Sequence, residues 1–167
     1  LALFSPSGGA VIGVIDTATL TIQDDDTPPS TLMYALGHTS NALFLFRTSA
    51  PGSPLSFTIP SGLVGGDSLR ALAMQPVTGK LFAVGTAGVL YTINPFTGVA
   101  MAVGPAFAPT PTGETMDLAF DRLTGHLRLF TAGGQNFVIS PATGGTISSD
   151  TTPAYAAGDA NAATTPQ

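Results

Sequence analysis

Two stretches of the chain, Leu69–Val84 (LRALAMQPVTGKLFAV) and Thr115–Phe130 (TMDLAFDRLTGHLRLF), carry the same arrangement of apolar residues around a Thr-Gly pair. The glycines of the two pairs, Gly79 and Gly125, lie 46 residues apart. Pro and Thr-Gly in this order are typical of a tight turn, because Pro fixes φ and Gly accepts a positive φ. We therefore interpret both pairs as turns between strands of a repeated unit.

A second turn recurs at the same interval, first as Asn94–Gly98 (NPFTG) and then as Ser140–Gly144 (SPATG). A weaker third copy precedes them, since Phe44–Arg47 aligns with Leu90–Asn94 and with Asn136–Ser140 to within one residue. Self-similarity at a period of about 40–50 residues is typical of repeat architectures. Most of the chain is therefore predicted to be copies of one unit.

One repeat predicts four short strands, each bounded by a Gly or Pro turn: Leu69–Met74, Lys80–Val84, Val89–Ile93 and Val99–Val103. Several are apolar on both faces, as expected of sheets packed between other sheets. Four strands per repeat indicate the blade of a β-propeller. From Thr31 onward the chain holds about three such repeats, whereas propellers close with about four to eight blades. We therefore expect an incomplete ring whose exposed blade and strand edges self-associate.

The composition favours an all-β fold. Apolar residues make up 44% of the 167 residues and charged residues only 9%, with 20 Gly and 14 Pro. Long runs of strong helix formers are absent, and Thr, Val, Ile and Phe are common. The expected class is therefore antiparallel four-stranded, blade-like sheets.

The charge balance excludes some partners. The net charge is −5 and the five basic residues are scattered, whereas nucleic-acid binding needs clustered Lys and Arg. No apolar run reaches the length of a membrane-spanning helix, and there is no cysteine for a disulfide or a thiolate. The chain begins at Leu1 without a visible signal peptide, which suggests an excerpt of a longer protein.

An acidic run follows a strand-like segment near the start. Thr17–Gln23 alternates threonine with Ala, Leu and Ile, the pattern of a half-buried strand, and Asp24, Asp25 and Asp26 come directly after it. Three adjacent carboxylates repel one another unless a cation neutralises them, and Ca²⁺ prefers about six to eight oxygen ligands. The alternative is a solvated acidic start to a linker at residues 27–31, stiffened by its two prolines.

Catalytic motifs are missing from the sequence. His38 and His126 have no partner at metal-ligand spacing, and we predict both to be surface residues. Asp121 precedes a Thr-Gly turn, so a side-chain hydrogen bond to that turn is expected rather than catalysis. Asp117 matches Ala71 of the preceding repeat and has no obvious local role, which makes it the better functional candidate. The chain holds one Glu, no serine-nucleophile elbow and no phosphate-binding loop.

The repeat region, residues 32–167, resembles a bacterial family known only as domain of unknown function 4394. The matching pieces are LMYALGHTSNALFLF, YTINPFTG, GGQNFVISPATG and AYAAGDANA, which begin at Leu32, Tyr91, Gly133 and Ala154. The resemblance implies a propeller-like domain that is secreted or on the cell surface, and it implies no catalytic residues.

Residues 1–26 resemble the C-terminal end of a Calx-beta domain, through SPSGGAVIG at Ser5 and DTATLTIQDDD at Asp16. Such domains are Ig-like β-sandwiches, and the resemblance implies that Asp24, Asp25 and Asp26 ligate Ca²⁺. Only the last one or two strands of the sandwich would lie in this chain, so the remaining ligands would come from outside it.

Two functions remain open on these grounds. The first is a non-catalytic binding or structural module of an exported bacterial protein, with a protein or carbohydrate ligand and a calcium-binding neighbour domain. The second is part of a propeller enzyme, of hydrolase or lyase type, whose active site is completed by further blades. The lack of a catalytic motif favours the first, although a fold by itself does not decide function.

Overall fold

The computed structural model describes residues 30–164, which form three antiparallel sheets. Sheet 1 has strands β1 (Leu32–Gly37), β2 (Ala42–Arg47) and β3 (Ser56–Thr58). Sheet 2 has β4 (Leu69–Met74), β5 (Leu81–Gly85), β6 (Leu90–Ile93) and β7 (Ala100–Ala102). Sheet 3 has β8 (Met116–Phe120), β9 (Leu127–Thr131), β10 (Asn136–Ile139) and β11 (Thr146–Asp150). Among the described residues the only helical element is a 3₁₀ turn at Val64–Gly66, so the all-β, blade-like fold is confirmed.

The four strands predicted for one repeat are those of sheet 2. The first has the predicted bounds, and the other three differ by one residue at one or both ends. In sheets 2 and 3 the strands pair in chain order, β4-β5-β6-β7 and β8-β9-β10-β11, as a four-stranded meander. The 46-residue interval is thus the spacing of complete sheets.

Sheet 1 differs from the expected four strands, because the described residues contribute only three. The turn between β1 and β2 has a positive φ at Asn41 (51°), like Gly88 (73°) after β5 and Gly134 (78°) after β9. β1 therefore corresponds to β5 and β9, the second strands of the other sheets. The position equivalent to β4 and β8, beside the free edge of β1, is not filled by any described residue.

The core lies in two layers between the sheets. Between sheets 1 and 2, the buried side chains include Leu43, Leu69, Tyr91 and Ile93. The layer between sheets 2 and 3 includes the buried side chains of Phe82, Leu90, Leu127, Phe137 and Ile139. Sheet 2 buries both of its faces, which explains why β5 is buried at every position.

The Thr-Gly pairs form turns, as predicted. Gly79 has φ of 68° and Gly125 has φ of 71°, the left-handed region that favours glycine. The amide of each glycine donates to the backbone oxygen four residues earlier, Gln75 at 2.9 Å and Asp121 at 2.8 Å. These turns fix the register of β4 against β5 and of β8 against β9.

No helix in the described part of the chain is both long and apolar enough to cross a membrane. Some of the sequence predictions fall outside the described residues. These concern the strand Thr17–Gln23, the run Asp24–Asp26 and most of the linker, and they stay predictions.

Candidate functional site: the outward face of sheet 3

The face of sheet 3 turned away from sheet 2 carries two rows of side chains. Along β8, Met116 and Leu118 are buried towards sheet 2, so the alternating residues Asp117 and Ala119 face outward. Cross-strand pairing then places Asp117, Phe130, Asn136 and Asp150 in one row, and Ala119, Arg128, Val138 and Ser148 in the next. We call these eight residues the outward face of sheet 3.

Comparison with sheet 2 shows that the outward face of sheet 3 is polar where the equivalent face of sheet 2 is apolar. In sheet 2 the residues equivalent to Asp117, Arg128 and Asn136 are Ala71, Phe82 and Leu90. Those three are buried against sheet 3. The face of sheet 2 that packs against sheet 3 is therefore apolar, whereas the equivalent face of sheet 3 carries a carboxylate, a guanidinium and an amide.

An ion pair organises the second half of this face. Arg128 donates from Nη1 to Oδ2 of Asp150 at 2.6 Å and to Oδ1 of Asn136 at 3.2 Å. Ser148 donates from Oγ to the other carboxylate oxygen of Asp150 at 3.0 Å. The hydrogen bond from Arg128, and then that from Ser148, lowers the pKa of Asp150 below its ordinary value. Asp150 is therefore held ionised.

A concavity of about 440 Å³ opens beside the first half of the face. Asp117 and Phe130, directly opposite each other on β8 and β9, line it together with the turn before β10 and Pro153. Phe130 is 37% exposed. Asp117 is exposed, and it belongs to neither of the two ion pairs found among residues 30–164. A free carboxylate and an aromatic surface thus share one opening.

Gln135 forms a rigid wall of the concavity. Its Oε1 accepts hydrogen bonds from the backbone N and the Oγ1 of Thr112, at 2.6 and 3.0 Å, and from Thr131 Oγ1 at 3.3 Å. Its Nε2 donates to the carbonyl of Thr110 at 3.2 Å. Because these bonds engage both ends of the amide, the role of Gln135 is to hold the loop before β8 in place, and its amide is not available to a ligand.

A second polar cluster joins the turn after β1, the strand β4 and the segment before β8. Arg70 is the extra residue of a bulge in β4, between Leu69 and Ala71. Its Nη2 lies 3.6 Å from Oε2 of Glu114, and His38 donates from Nε2 to the carbonyl of Glu114 at 3.2 Å. Because these contacts connect the turn of sheet 1 with the entry to β8, the cluster has a structural role.

Of the residues singled out by sequence, His38 and Asp121 lie as predicted and His126 does not. His38 lies in an exposed turn, and His126 is a half-buried residue next to a turn rather than a surface residue. Asp121 accepts from the backbone N of Leu123 at 2.8 Å, which is the expected turn bond and the main cause of its lowered pKa. Asp117 lies on the outward face of sheet 3, where its equivalent Ala71 is buried.

Sequence reasoning missed the other polar residues of the face, Arg128, Asn136 and Asp150. Their signal was present in the repeat, since two of them replace apolar residues of the preceding copy. Within residues 30–164 no three His, Cys, Asp or Glu side chains come together as a metal site. The calcium ligands proposed from sequence, Asp24, Asp25 and Asp26, lie outside that range.

Comparison with known proteins supports the repeat region as a family domain. No curated protein is detectably similar in sequence. Among solved structures, the crystal structure of BamB from Moraxella catarrhalis is similar over 74% of this chain, with 13% identity and a TM-score of 0.47. This chain covers 33% of that structure. The family model described as domain of unknown function (DUF4394) matches residues 42–167. The chain therefore belongs to the DUF4394 family.

Proposed function

We propose that this chain is a non-catalytic binding module of an exported bacterial protein, and that it binds carbohydrate on the outward face of sheet 3. The observation that carries the proposal is the pairing of Asp117 with Phe130 at the mouth of one concavity. Its volume falls in the range of about 300–1,000 Å³ typical of small-ligand sites.

The chemistry of the opening suits a sugar. One face of a pyranose ring presents C–H groups that pack on an aromatic ring, and Phe130 offers such a surface. The Asp117 carboxylate is an acceptor for two sugar hydroxyls, because an ionised carboxylate accepts through both oxygens. Asn136 accepts from Arg128 through Oδ1, so its Nδ2 hydrogens are oriented for a further acceptor.

The electrostatics of the face leave Asp150 unsuited to one of the two carboxyl roles that glycoside hydrolysis needs. Glycoside hydrolysis needs a pair of carboxyl groups, one of which has a raised pKa and donates a proton. The second carboxylate of this face, Asp150, has its pKa lowered by Arg128. That direction is opposite to the requirement for a general acid, so Asp150 cannot fill that role at neutral pH.

Calorimetric titration of the chain with a panel of neutral oligosaccharides tests the proposal. We expect Phe130→Ala and Asp117→Asn each to weaken the binding of a positive sugar by about tenfold or more. Phe96→Ala is the matched control, because Phe96 is 82% exposed on a turn outside the concavity and its removal should leave binding unchanged. Lack of binding to the whole panel, or equal affinity of all variants, would refute the proposal.

Chromatography of the same mixtures tests the enzyme alternative, since cleaved sugar would show catalysis.

Export to the cell surface or medium is part of the same proposal, supported by the family resemblance and by a surface solvated with Thr, Ser and Gly rather than charge. Fractionation of the producing cells, followed by detection with an antibody, tests it. Detection only in the cytoplasm would contradict it.

A further inference from the structure

The concavity beside sheet 3 carries a single charge. Among the described residues that line it, Asp117 is the only one with an ionisable side chain. Asp117 is exposed and takes part in neither of the two ion pairs of residues 30–164. Arg128 lies in the neighbouring row, where its guanidinium donates to Asp150 at 2.6 Å, so that pair is neutral as a whole. The opening therefore presents one uncompensated negative charge to a ligand.

Two other polar side chains of the concavity are already engaged. Gln135 uses both ends of its amide on the loop before β8. The Thr131 hydroxyl donates to Gln135 Oε1 at 3.3 Å and accepts from the backbone N of Gln135 at 3.2 Å. An ionised carboxylate accepts hydrogen bonds and donates none, so Asp117 selects ligand groups that donate.

Asp117 and Phe130 offer a ligand two different surfaces side by side. They are directly opposite each other on β8 and β9, a position at which Cβ atoms lie about 4.5–5.5 Å apart. An amino sugar keeps the C–H face that packs on an aromatic ring, and it replaces one hydroxyl by an ammonium group with three donors. A hydrogen bond between two charged groups is shorter and stronger than one between neutral groups. The pair thus suits a sugar ring that carries a cation.

We propose that this concavity selects saccharides with a free, protonated amino group, and that Asp117 is the residue that determines this specificity. The inference rests on the proposed carbohydrate site and names the class of sugar that it takes. A neutral sugar offers Asp117 only hydroxyl donors, and N-acetylation removes the cation from an amino sugar. A uronic acid places a second negative charge beside Asp117 and is repelled.

Calorimetric titration with four matched trisaccharides tests the inference: a glucosamine trimer, its N-acetylated form, cellotriose and a uronic acid trimer. At about pH 6 an amine whose pKa is near that of an α-amino group, about 7.7 to 8.0, is protonated. We expect the glucosamine trimer to bind about tenfold more tightly than cellotriose or more, since hydrogen bonds to charged groups contribute more than neutral ones. The N-acetylated trimer should bind like cellotriose, and the uronic acid trimer most weakly.

Asp117→Asn should abolish the difference between the glucosamine trimer and cellotriose, because it removes the charge and keeps the shape of the side chain. The matched control is Asp121→Asn, which removes one charge just beyond the other end of β8, outside the concavity. Asn94 makes the same kind of turn bond in sheet 2, so asparagine preserves the turn at Asp121. This control should keep the preference for the amino sugar, and thermal melts establish that both variants are folded.

Equal affinity of the wild-type chain for the glucosamine trimer and cellotriose would overturn the inference and leave the carbohydrate site standing. Tightest binding of the uronic acid trimer would also overturn it. So would a preference that survives Asp117→Asn but is lost in Asp121→Asn. Failure of all four trisaccharides to bind would overturn both the inference and the proposed function.

Discussion

The Tyr91 hydroxyl donates a hydrogen bond to Oδ2 of Asp67 at 3.0 Å, inside the layer between sheets 1 and 2. Tyr91 is fully buried and Asp67 is 7% exposed. The other carboxylate oxygen of Asp67 accepts from the backbone N of Ser68, from Thr86 Oγ1 and from the backbone N of Ala87, at 2.8 to 2.9 Å. One buried carboxylate thus joins the segment before β4 to the β5–β6 turn.

Sheet 3 makes the same connection with different chemistry. Phe137 stands at the position of Tyr91 and has no hydroxyl, whereas Gln135 joins the segment before β8 to the β9–β10 turn. Sheets 2 and 3 therefore each fix the entry to their first strand with one polar side chain.

We expect Tyr91→Phe to lower the free energy of unfolding by about 1–2 kcal/mol, because Asp67 Oδ2 loses its donor and the backbone N of Val64 loses its acceptor. Asp67→Ala should cost more, about 3 kcal/mol, since it leaves several donors without a partner. Urea unfolding at neutral pH measures both. Tyr34→Phe is the control, at a half-buried tyrosine, and should change stability by less than about 0.5 kcal/mol. An unchanged stability of Asp67→Ala would contradict the structural role of this carboxylate.

Substituting alanine for glycine in the turns separates the cost of a left-handed backbone from the cost of a steric contact. At Gly125, with φ of 71°, an added Cβ would meet no atom within 4 Å, so Gly125→Ala should cost only the left-handed backbone term, about 1–2 kcal/mol. At Gly98, with φ of 73°, the Cβ would overlap the methyl group of Thr58 and lie 2.9 Å from the carbonyl oxygen of Ile59, so Gly98→Ala should cost more. Gly52→Ala, in open space without a positive φ, should change stability by less than about 0.5 kcal/mol. Equal losses at Gly98 and Gly125 would show that the contacts with Thr58 and Ile59 relax freely.

The repeat made the architecture of sheets 2 and 3 predictable. Turn chemistry at Thr78-Gly79 and Thr124-Gly125 defined the strand ends, and apolar residues on both faces indicated stacked sheets. The role of Asp121 followed from the same chemistry, because a carboxylate beside a turn reaches the turn amides locally. Such effects act within a few residues and are therefore visible in sequence.

Long-range features were not predictable in the same way. Within residues 30–164 sheet 1 has three strands, and aligning Phe44–Arg47 with its repeats did not show which residues pair beside β1. The ion pair between Arg128 and Asp150 joins residues 22 positions apart, which the register across β9, β10 and β11 brings together. The proposed carbohydrate site depends on the same register, because only strand pairing places Asp117 beside Phe130.

Calcium binding by Asp24, Asp25 and Asp26 stays a prediction, since these residues lie outside the described part of the chain. If they are Calx-beta ligands, a protein with a complete sandwich domain should bind Ca²⁺ with a dissociation constant of about 10⁻⁷ to 10⁻³ M, and residues 1–167 alone much more weakly. Calorimetry on both proteins measures the difference. Replacing the three aspartates by asparagine in the longer protein should abolish binding. Equal affinity of the two proteins would show that no ligands outside this chain are needed.

Acid should destabilise the protein partly through Asp150. Because Arg128 lowers its folded-state pKa below the ordinary 3.8, the ionised form contributes stability that is fully present above about pH 4. That stability is lost as the pH falls through the lowered pKa. Asp150→Asn should therefore flatten the dependence of the unfolding free energy on pH below about 4, while the wild type becomes less stable there.

Arg128→Gln should flatten this pH dependence similarly, and the double variant should add little, since both changes remove one interaction. Urea melts from pH 2 to pH 6 measure the slopes. Additive effects of the two substitutions would show that Asp150 draws its low pKa from another group.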